Sequence, residues 1–338
     1  MIRVLVVDDS LIIRTVLKRI LNKDPRIEVV GEADSGEDAI LKNRLLKPDA
    51  ITMDIYMPGM NGIEATKRIM QEHPAAIMIF STEDSAYMGY SALEAGALDM
   101  VKKPSPLNTP ADFYREFIDR LIAVTEKFRS RKTESASVVL PEAKKGKWKT
   151  LLIGASTGGP VAVQKVLTGL GKGFPMPILV TQHIDKAFDG HYAKWLSETT
   201  GQTVILPKNK EVLKPGVVYV APAGYHMEIG GVDAQENVFV KLTDTPPVNF
   251  VKPAVDCLFQ SAAKFIGSGC IAILLTGMGK DGANGCSQIC QNGGFTIVES
   301  EETCVVFGMP KAAIEMGGAS SVLPIQGIAP YVRRMTGK

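Results

Sequence analysis

The first 125 residues alternate short β-branched apolar runs with longer amphipathic stretches, and this alternation constrains the fold more than any other feature. The apolar runs have the length of buried strands, and the amphipathic stretches have the spacing of helices that cover a sheet. The predicted strands are Val4–Val7, Ile27–Gly31, Ala50–Met53, Ile77–Phe80 and Asp99–Val101, followed in turn by helices at Leu11–Leu21, Glu37–Leu46, Ile63–Gln71, Ala86–Ala95 and Phe113–Phe128. Five β/α units predict a doubly wound, five-stranded parallel sheet.

A second feature divides the chain. Residues 126–148 lose apolar periodicity and gather Ser, Lys and Pro, which is the composition of a solvated linker. A chain of 338 residues also exceeds what one hydrophobic core usually serves. We therefore predict an N-terminal domain at 1–125, a basic linker at 126–148 and a C-terminal domain at 149–338.

The C-terminal region resumes the α/β alternation. Apolar runs at Leu151–Ile153, Pro177–Thr181 and Ile271–Leu275 each end in glycine, polar or charged residues, as strands of a parallel sheet do. The residues around Val217–Leu242 suggest an antiparallel excursion. The sequence thus predicts a second, mainly parallel α/β domain.

Composition excludes several classes of protein. Hydrophobic residues make up 45% of the chain and charged residues 22%, values typical of ordinary globular proteins. The net charge of +2 comes from residues 126–149, which hold eight bases and three acids, so the charge does not indicate a nucleic-acid surface. No apolar run reaches the roughly 20 residues of a membrane span, and we expect a cytoplasmic protein. The five cysteines, all beyond residue 256, are interpreted as reduced structural thiols.

Acidic residues gather at predicted strand ends in the first domain. Asp8 and Asp9 close the first strand and Asp54 closes the third, while Ser81 and Lys103 follow the fourth and fifth. Parallel strands bring such residues to one edge of the sheet, where three carboxylates need a hard cation such as Mg²⁺. Individually, Asp9 could cap a helix and Asp54 could precede a turn. All five positions together favour a site for Mg²⁺ and a phosphoryl group.

These segments resemble the two-component receiver family in the motifs Val7-Asp8-Asp9-Ser10, Met53-Asp54-Ile-Tyr56-Met-Pro58-Gly-Met-Asn-Gly62 and Lys103-Pro104. The resemblance implies that Asp54 accepts the phosphoryl group and that Asp9, Asp54 and the backbone carbonyl of Tyr56 hold Mg²⁺, with Asp8 nearby. It also implies that Ser81 and Lys103 contact the phosphoryl group. The chain departs from the family at Met100, where many receivers carry an aromatic switch residue, and at Tyr56, which is often polar or acidic.

A candidate nucleophile opens the second domain. The strand at Leu151–Ile153 leads into Gly154-Ala-Ser156-Thr-Gly158-Gly-Pro160, and the glycines allow a tight strand-to-helix turn with Ser156 at its apex. A serine at a helix start is more often a plain cap, so this segment alone does not establish catalysis.

Serine needs a base, and the chain has four histidines. Only His183 directly follows a predicted strand at the sheet edge that carries Ser156. Asp281, in the loop after Ile271–Leu275, could orient the imidazole, which completes a triad by role. The chain order Ser, His, Asp differs from that of the α/β-hydrolases.

Two alternatives remain from the residues alone. Gly277, Gly279 and Gly282 fit a dinucleotide-binding fingerprint, and Glu299 could bind a ribose. That alternative places Asp281 beside a pyrophosphate and leaves Ser156 and His183 unexplained. The second domain could also be a non-enzymatic binding module controlled by the first.

The second domain resembles the catalytic domain of chemotaxis protein-glutamate methylesterases, the CheB family. The motifs are Ile153–Pro160, Thr181-Gln-His183 and Leu275–Ala283, with further matches at Tyr219–Pro222, Pro253–Phe259 and Val306–Pro310. The resemblance implies a cytoplasmic hydrolase that demethylates chemoreceptor glutamates and often deamidates receptor glutamines. It makes Ser156 the nucleophile, His183 the base, Asp281 the orienting acid and the Met278 amide an oxyanion donor.

The same resemblance implies partners and cofactors. Methylated chemoreceptors would be the substrate and a chemotaxis histidine kinase the phosphodonor. Mg²⁺ would serve phosphorylation of the receiver, and ester hydrolysis would need no cofactor. Lys280 and Ile184-Asp185 depart from the family beside catalytic positions, where Asn and Met-Pro are common.

Overall fold

The computed structural model describes residues 1–82, 86–103, 113–130, 140–185 and 188–337. The chain divides into two compact units, Met1–Glu134 and Ser135–Lys338. Within the described ranges, no helix has both the length and the apolar character needed to cross a membrane.

The first unit is the predicted doubly wound sheet, with five parallel strands in the order β2-β1-β3-β4-β5. Its strands are β1 Ile2–Val7, β2 Ile27–Ala33, β3 Ala50–Met53, β4 Ala76–Ser81 and β5 Asp99–Lys102. Its helices are α1 Leu11–Leu21, α2 Gly36–Leu46, α3 Gly62–Glu72, α4 Ala86–Glu94 and α5 Phe113–Ser130. β3 and β4 are buried along their whole length, as central strands covered by helices on both faces must be.

The second unit contains a seven-stranded parallel sheet in the order β14-β13-β12-β6-β7-β9-β8. Its strands are β6 Thr150–Ala155, β7 Ile178–Gln182, β8 Thr203–Ile205, β9 Val217–Val220, β12 Cys270–Leu274, β13 Phe295–Glu299 and β14 Ser321–Leu323. Its helices are α6 Gly159–Leu170, α7 Asp189–Thr200, α8 Val255–Phe265, α9 Ala283–Gln291, α10 Met309–Glu315 and α11 Ile325–Thr336. The predicted mainly parallel α/β class is confirmed.

The predicted antiparallel excursion is correct only in part. β10 His226–Val232 and β11 Val238–Thr243 form an antiparallel ribbon. Val217–Val220, however, pairs in parallel with both β7 and β8. Its run of apolar residues is buried between two strands, so it belongs to the main sheet rather than to the ribbon.

Parts of the predicted linker, residues 126–148, are structured. α5 continues to Ser130, and residues 131–139 lie outside the described ranges. Beyond them, the Lys144 ammonium lies 5.8 Å from the centroid of the Phe295 ring, and the Trp148 ring meets Phe295 edge-on at 6.5 Å. Tyr331 Oη donates to the carbonyl of Glu142 at 3.2 Å. Aromatic and backbone contacts therefore hold this part of the segment against the second unit.

The division predicts that each unit folds alone. Fragments 1–130 and 140–338 each keep a complete sheet and its covering helices, so we expect each to unfold cooperatively on heating. Circular dichroism during thermal unfolding is the measurement. A control fragment ending at Pro74 lacks β4 and β5 and should show no cooperative transition. A non-cooperative transition in either full unit would contradict the division.

Candidate active site and acidic cluster

Ser156 lies immediately after β6, in the turn that leads to α6. Its N–H donates to the carbonyl of Thr276 at 3.0 Å, which ties the turn to the end of the neighbouring strand β12. Gly158 caps α6 with a φ of +74°, and a Cβ there would lie 2.5 Å from Val305 Cβ. Only glycine meets both conditions, so the turn is sterically specified. Ser156 itself remains partly exposed at the carboxyl edge of the sheet.

His183 reaches the same edge because β6 and β7 pair in parallel, with Ala155 opposite Gln182. Its N–H donates to the carbonyl of Ala155 at 3.1 Å, and its Nε2 lies 2.8 Å from Asp281 Oδ2. Within the described residues, Ser156 Oγ makes no hydrogen bond to this imidazole. Such bonds commonly tighten only when substrate binds. The structure thus brings the three predicted residues to one edge and joins two of them directly.

Asp281 is a buried carboxylate with hydrogen bonds on both oxygens. Oδ2 accepts from His183 Nε2 and from the Val255 N–H at 2.6 Å. Oδ1 accepts from the Asp256 N–H at 3.1 Å and from Asn249 Nδ2 at 3.0 Å. Burial raises the pKa of Asp281, but the hydrogen bonds from His183, Val255 and Asn249 outweigh it and bring the pKa below its usual value. The group is therefore kept ionised.

His226, unlike the partly exposed His183, is not available to serve as a base. It is completely buried; its Nδ1 accepts from the Ala254 N–H at 3.1 Å, and its Nε2 lies 3.1 Å from the carbonyl of Pro246. Both ring nitrogens are committed to the backbone. This histidine holds the loop before α8 in place.

The loop after β12 approaches Ser156 closely. A Cβ on Gly277 would lie 2.8 Å from Ser156 Cβ and 2.3 Å from Met309 Sδ, so only glycine fits. Met278 comes next, and its N–H donates no hydrogen bond to any residue in the described ranges. An uncommitted backbone donor one residue from this contact suits the predicted oxyanion role.

The dinucleotide alternative fails at Glu299. This carboxyl is only 1% exposed, and it accepts from the Thr276 N–H at 2.8 Å and from Thr303 Oγ1 at 2.9 Å. Burial raises its pKa. Both oxygens thus support the loop inside the domain, where they cannot reach a ribose.

Asn249 and Asp256 contact Asp281, and the sequence analysis assigned a role to neither. Asn249 Nδ2 donates to Asp256 Oδ2 at 2.9 Å as well as to Asp281. Asp256 Oδ1 in turn accepts from the Gly285 N–H at 2.7 Å. An acid within the apolar helix α8 was the available signal for Asp256, whereas Asn249 lies in a loop without a repeating pattern.

The acidic cluster of the first unit forms as predicted. Asp8, Asp9 and Asp54 each offer a carboxylate oxygen, and these atoms lie within 4.8 Å of one another. Lys103 Nζ lies 2.7 Å from Asp8 Oδ2 and 2.8 Å from Asp54 Oδ2. Burial raises the pKa of Asp54 more than Lys103 lowers it. A set of hard oxygen donors of this kind fits Mg²⁺.

Among the remaining predicted residues, Ser81 is joined to the cluster through Lys103. Ser81 is completely buried, and its carbonyl accepts from the Lys103 N–H at 2.6 Å. The Tyr56 ring is half exposed, and among the described residues no donor occupies its backbone carbonyl. Met100 packs its thioether against Gly89 of α4, where a Cβ would lie 2.1 Å from Met100 Sδ. Pro104 lies outside the described residues.

The comparisons with known proteins cover both units. Residues 151–332 match the family model for the CheB methylesterase, and residues 4–110 match that for the response regulator receiver domain. Curated relatives named protein-glutamate methylesterase/protein-glutamine glutaminase include one from Archaeoglobus fulgidus, 40% identical over 98% of this chain and 97% of the relative. One from Thermotoga maritima is 42% identical over 96% of this chain and 95% of the relative.

A solved structure agrees with this assignment. The crystal structure of the Thermotoga maritima CheB methylesterase catalytic domain is 40% identical to this chain, with a TM-score of 0.53, and covers 56% of this chain and 99% of that one. The family models, the full-length relatives and the fold agree. The chain belongs to the CheB methylesterase family, with an N-terminal response regulator receiver domain.

Proposed function

We propose that this chain is a phosphorylation-activated cytoplasmic hydrolase that removes methyl esters from chemoreceptor glutamates, and deamidates receptor glutamines, during chemotaxis adaptation. The observation that carries this proposal is the 2.8 Å contact between His183 Nε2 and Asp281 Oδ2, on the strand edge next to Ser156. The names of the full-length relatives support the substrate and both reactions.

The proposed chemistry begins with attack of Ser156 Oγ on the ester carbonyl. Because Asp281 holds His183 Nε2, Nδ1 is the ring nitrogen left to take the serine proton. The Met278 N–H stabilises the oxyanion of the tetrahedral intermediate. His183 then gives the proton to the leaving methoxide, which departs as methanol, and a water activated by the same imidazole hydrolyses the acyl-enzyme. These steps use protein groups and water alone.

The receiver carries the proposed regulation. Asp54 accepts a phosphoryl group from a chemotaxis histidine kinase, and Asp9, Asp54 and the Tyr56 carbonyl would hold Mg²⁺. The bound ion would neutralise the negative charge of the carboxylates and the incoming group. Lys103, now paired with Asp8 and Asp54, would pair with the phosphoryl oxygens, and Ser81, whose carbonyl accepts from the Lys103 N–H, would donate its hydroxyl to them.

The regulation is proposed to be inhibitory in the resting state. Phosphorylation adds charge beside Lys103 and Ser81 and so changes the surface around the ends of the fourth and fifth strands. A shift between a restrained and an active catalytic domain needs only a few kcal/mol of differential stability.

The triad predicts a graded loss of activity. Ser156→Ala and His183→Ala should each lower kcat by about 10⁴- to 10⁶-fold, and Asp281→Asn by less, because triad members act as a unit. Methanol release from methylated receptor membranes is the measurement. Ser268→Ala, which alters an exposed serine before β12 at the opposite sheet edge, should keep full activity. Near-normal turnover by Ser156→Ala would remove the nucleophile assignment.

The acidic cluster predicts Mg²⁺-dependent phosphorylation at Asp54. A small phosphodonor should add one phosphoryl group to the wild-type protein, as seen by mass spectrometry, and EDTA should prevent it. Asp54→Asn should show no adduct, while Asp119→Asn, which alters a carboxylate paired with Arg26, should be modified normally. An undiminished adduct on Asp54→Asn would place the modification elsewhere.

A further inference from the structure

We propose that Asn249 is a positioning residue that acts through Asp281, an inference that rests on the proposed function. Its side-chain amide donates both N–H bonds to buried carboxylates, at 3.0 Å to Asp281 Oδ1 and 2.9 Å to Asp256 Oδ2. The described residues offer Asp281 only one other side-chain donor, His183 itself.

This amide fixes the rotation of the Asp281 carboxylate. Oδ2 must face His183 Nε2 for the imidazole to be oriented, and the carboxylate can turn about its last torsion unless Oδ1 is also held. Asn249 and the Asp256 N–H hold Oδ1 from two directions. Removing the amide would leave one backbone donor on that oxygen and a buried charge with fewer partners.

Asp256 determines which end of the amide faces Asp281. An asparagine side chain has a donor end and an acceptor end of nearly the same shape, and its surroundings set the orientation. When ionised, Asp256 Oδ2 only accepts, so it selects the NH₂ end. The Gly285 N–H fixes Asp256 Oδ1 in turn. The amide thus links the Asp281 carboxylate to the Asp256 side chain of α8 and, through it, to Gly285 of α9.

The backbone makes Asn249 suitable for a clean test. Its φ is +52°, in the left-handed region that glycine and asparagine adopt with little strain. Asn249→Gly therefore removes the amide and keeps the backbone conformation. Asn249→Asp keeps the shape but replaces a donor with an acceptor between two carboxylates.

The test uses the phosphorylated full-length protein and methanol release from methylated receptor membranes. We expect Asn249→Gly to lower kcat by about 10- to 100-fold, the size expected for a hydrogen bond to a charged group, with KM changed by less than about twofold. Asn249→Asp should lose at least as much, because like charges then meet. Asn237→Gly is the matched control: it removes an exposed amide that bonds Asp233 at 3.0 Å, and should behave as wild type.

A second readout is independent of turnover. The proton shared by His183 and Asp281 should give a far-downfield proton NMR signal that is lost in His183→Ala and weakened or shifted in Asn249→Gly. If the wild-type protein released no methanol, the proposed function would fail while this signal still tested the positioning role. The proposal would be overturned if the downfield signal were unchanged in Asn249→Gly. This holds if kcat is normal, and also if kcat falls only in proportion to the amount of folded protein.

A different observation carries a second inference, that Phe250 contacts the substrate protein. Val248 and Val251 exchange backbone hydrogen bonds at 3.1 and 3.0 Å and enclose a two-residue turn, Asn249-Phe250. Both central residues have positive φ, +52° and +67°, as in a type I′ turn, where the second position usually needs glycine. Phe250 is fully exposed, at 101%. Among the described residues, no contact of its ring therefore offsets the strained backbone.

The turn lies beside the residues of the proposed active site. Asn249 touches Asp281, so Phe250 lies one residue from a direct contact with the proposed triad. We infer that its ring packs on an apolar side chain flanking the esterified glutamate of the substrate protein. This inference also depends on the proposed function.

Phe250→Gly separates this contact from the chemistry. The variant should raise the midpoint of thermal unfolding, because glycine relieves the strain, and raise KM for methylated receptor membranes by about 10-fold with kcat unchanged. Hydrolysis of a small glutamate methyl ester peptide should be unaffected, which shows that the triad is intact. Phe265→Ala, which removes another exposed ring, should leave KM unchanged. A KM within twofold of wild type for Phe250→Gly would overturn the inference.

Discussion

The catalytic domain depends on keeping one buried carboxylate charged. Asp281 is 3% exposed, and an ionised group in such a place is stable only if hydrogen bonds replace the lost water. Two backbone N–H groups at the start of α8, one asparagine amide and one imidazole supply them. The order of the sheet follows the same need, because β7, β6 and β12 must be neighbours for His183, Ser156 and the Asp281 loop to meet at one edge.

The buried carboxylate of the receiver, Asp54, has its pKa shifted in the opposite direction to that of Asp281. Asp54 contacts one lysine and accepts from one backbone N–H. Burial raises its pKa by more than these two contacts lower it. Its neighbours Asp8 and Asp9 add negative charge rather than N–H donors. A bound cation would stabilise the ionised form of Asp54, which agrees with the proposal that this residue is phosphorylated. A carboxylate that must hold an imidazole in place needs the fixed surroundings of Asp281.

The sequence predicted the strands and their ends well, because buried parallel strands appear as apolar runs with abrupt polar ends. Ser156, His183, Asp281 and the acidic cluster could be placed for that reason, since each follows such a run. Asn249 could not, because its role depends on a loop that meets α8 and the Asp281 loop only after folding. Val217–Val220 was assigned to the ribbon because a short apolar run does not reveal its partners. Glu299 looked like a ligand from spacing alone, and only its burial showed otherwise.

We propose a methylesterase in which phosphorylation of the receiver controls the triad of Ser156, His183 and Asp281. The most direct measurement is radiolabelled methanol release from methylated receptor membranes by the full-length protein, with and without Mg²⁺ and a small phosphodonor, with Ser156→Ala as the blank. We expect the wild-type protein to release measurable methanol and to release clearly more when the phosphodonor is present. Ser156→Ala should release no methanol above background. If fully phosphorylated protein released no methanol, the methylesterase activity would be contradicted and a binding module would be favoured. If methanol release did not respond to phosphorylation, control by the receiver would be contradicted.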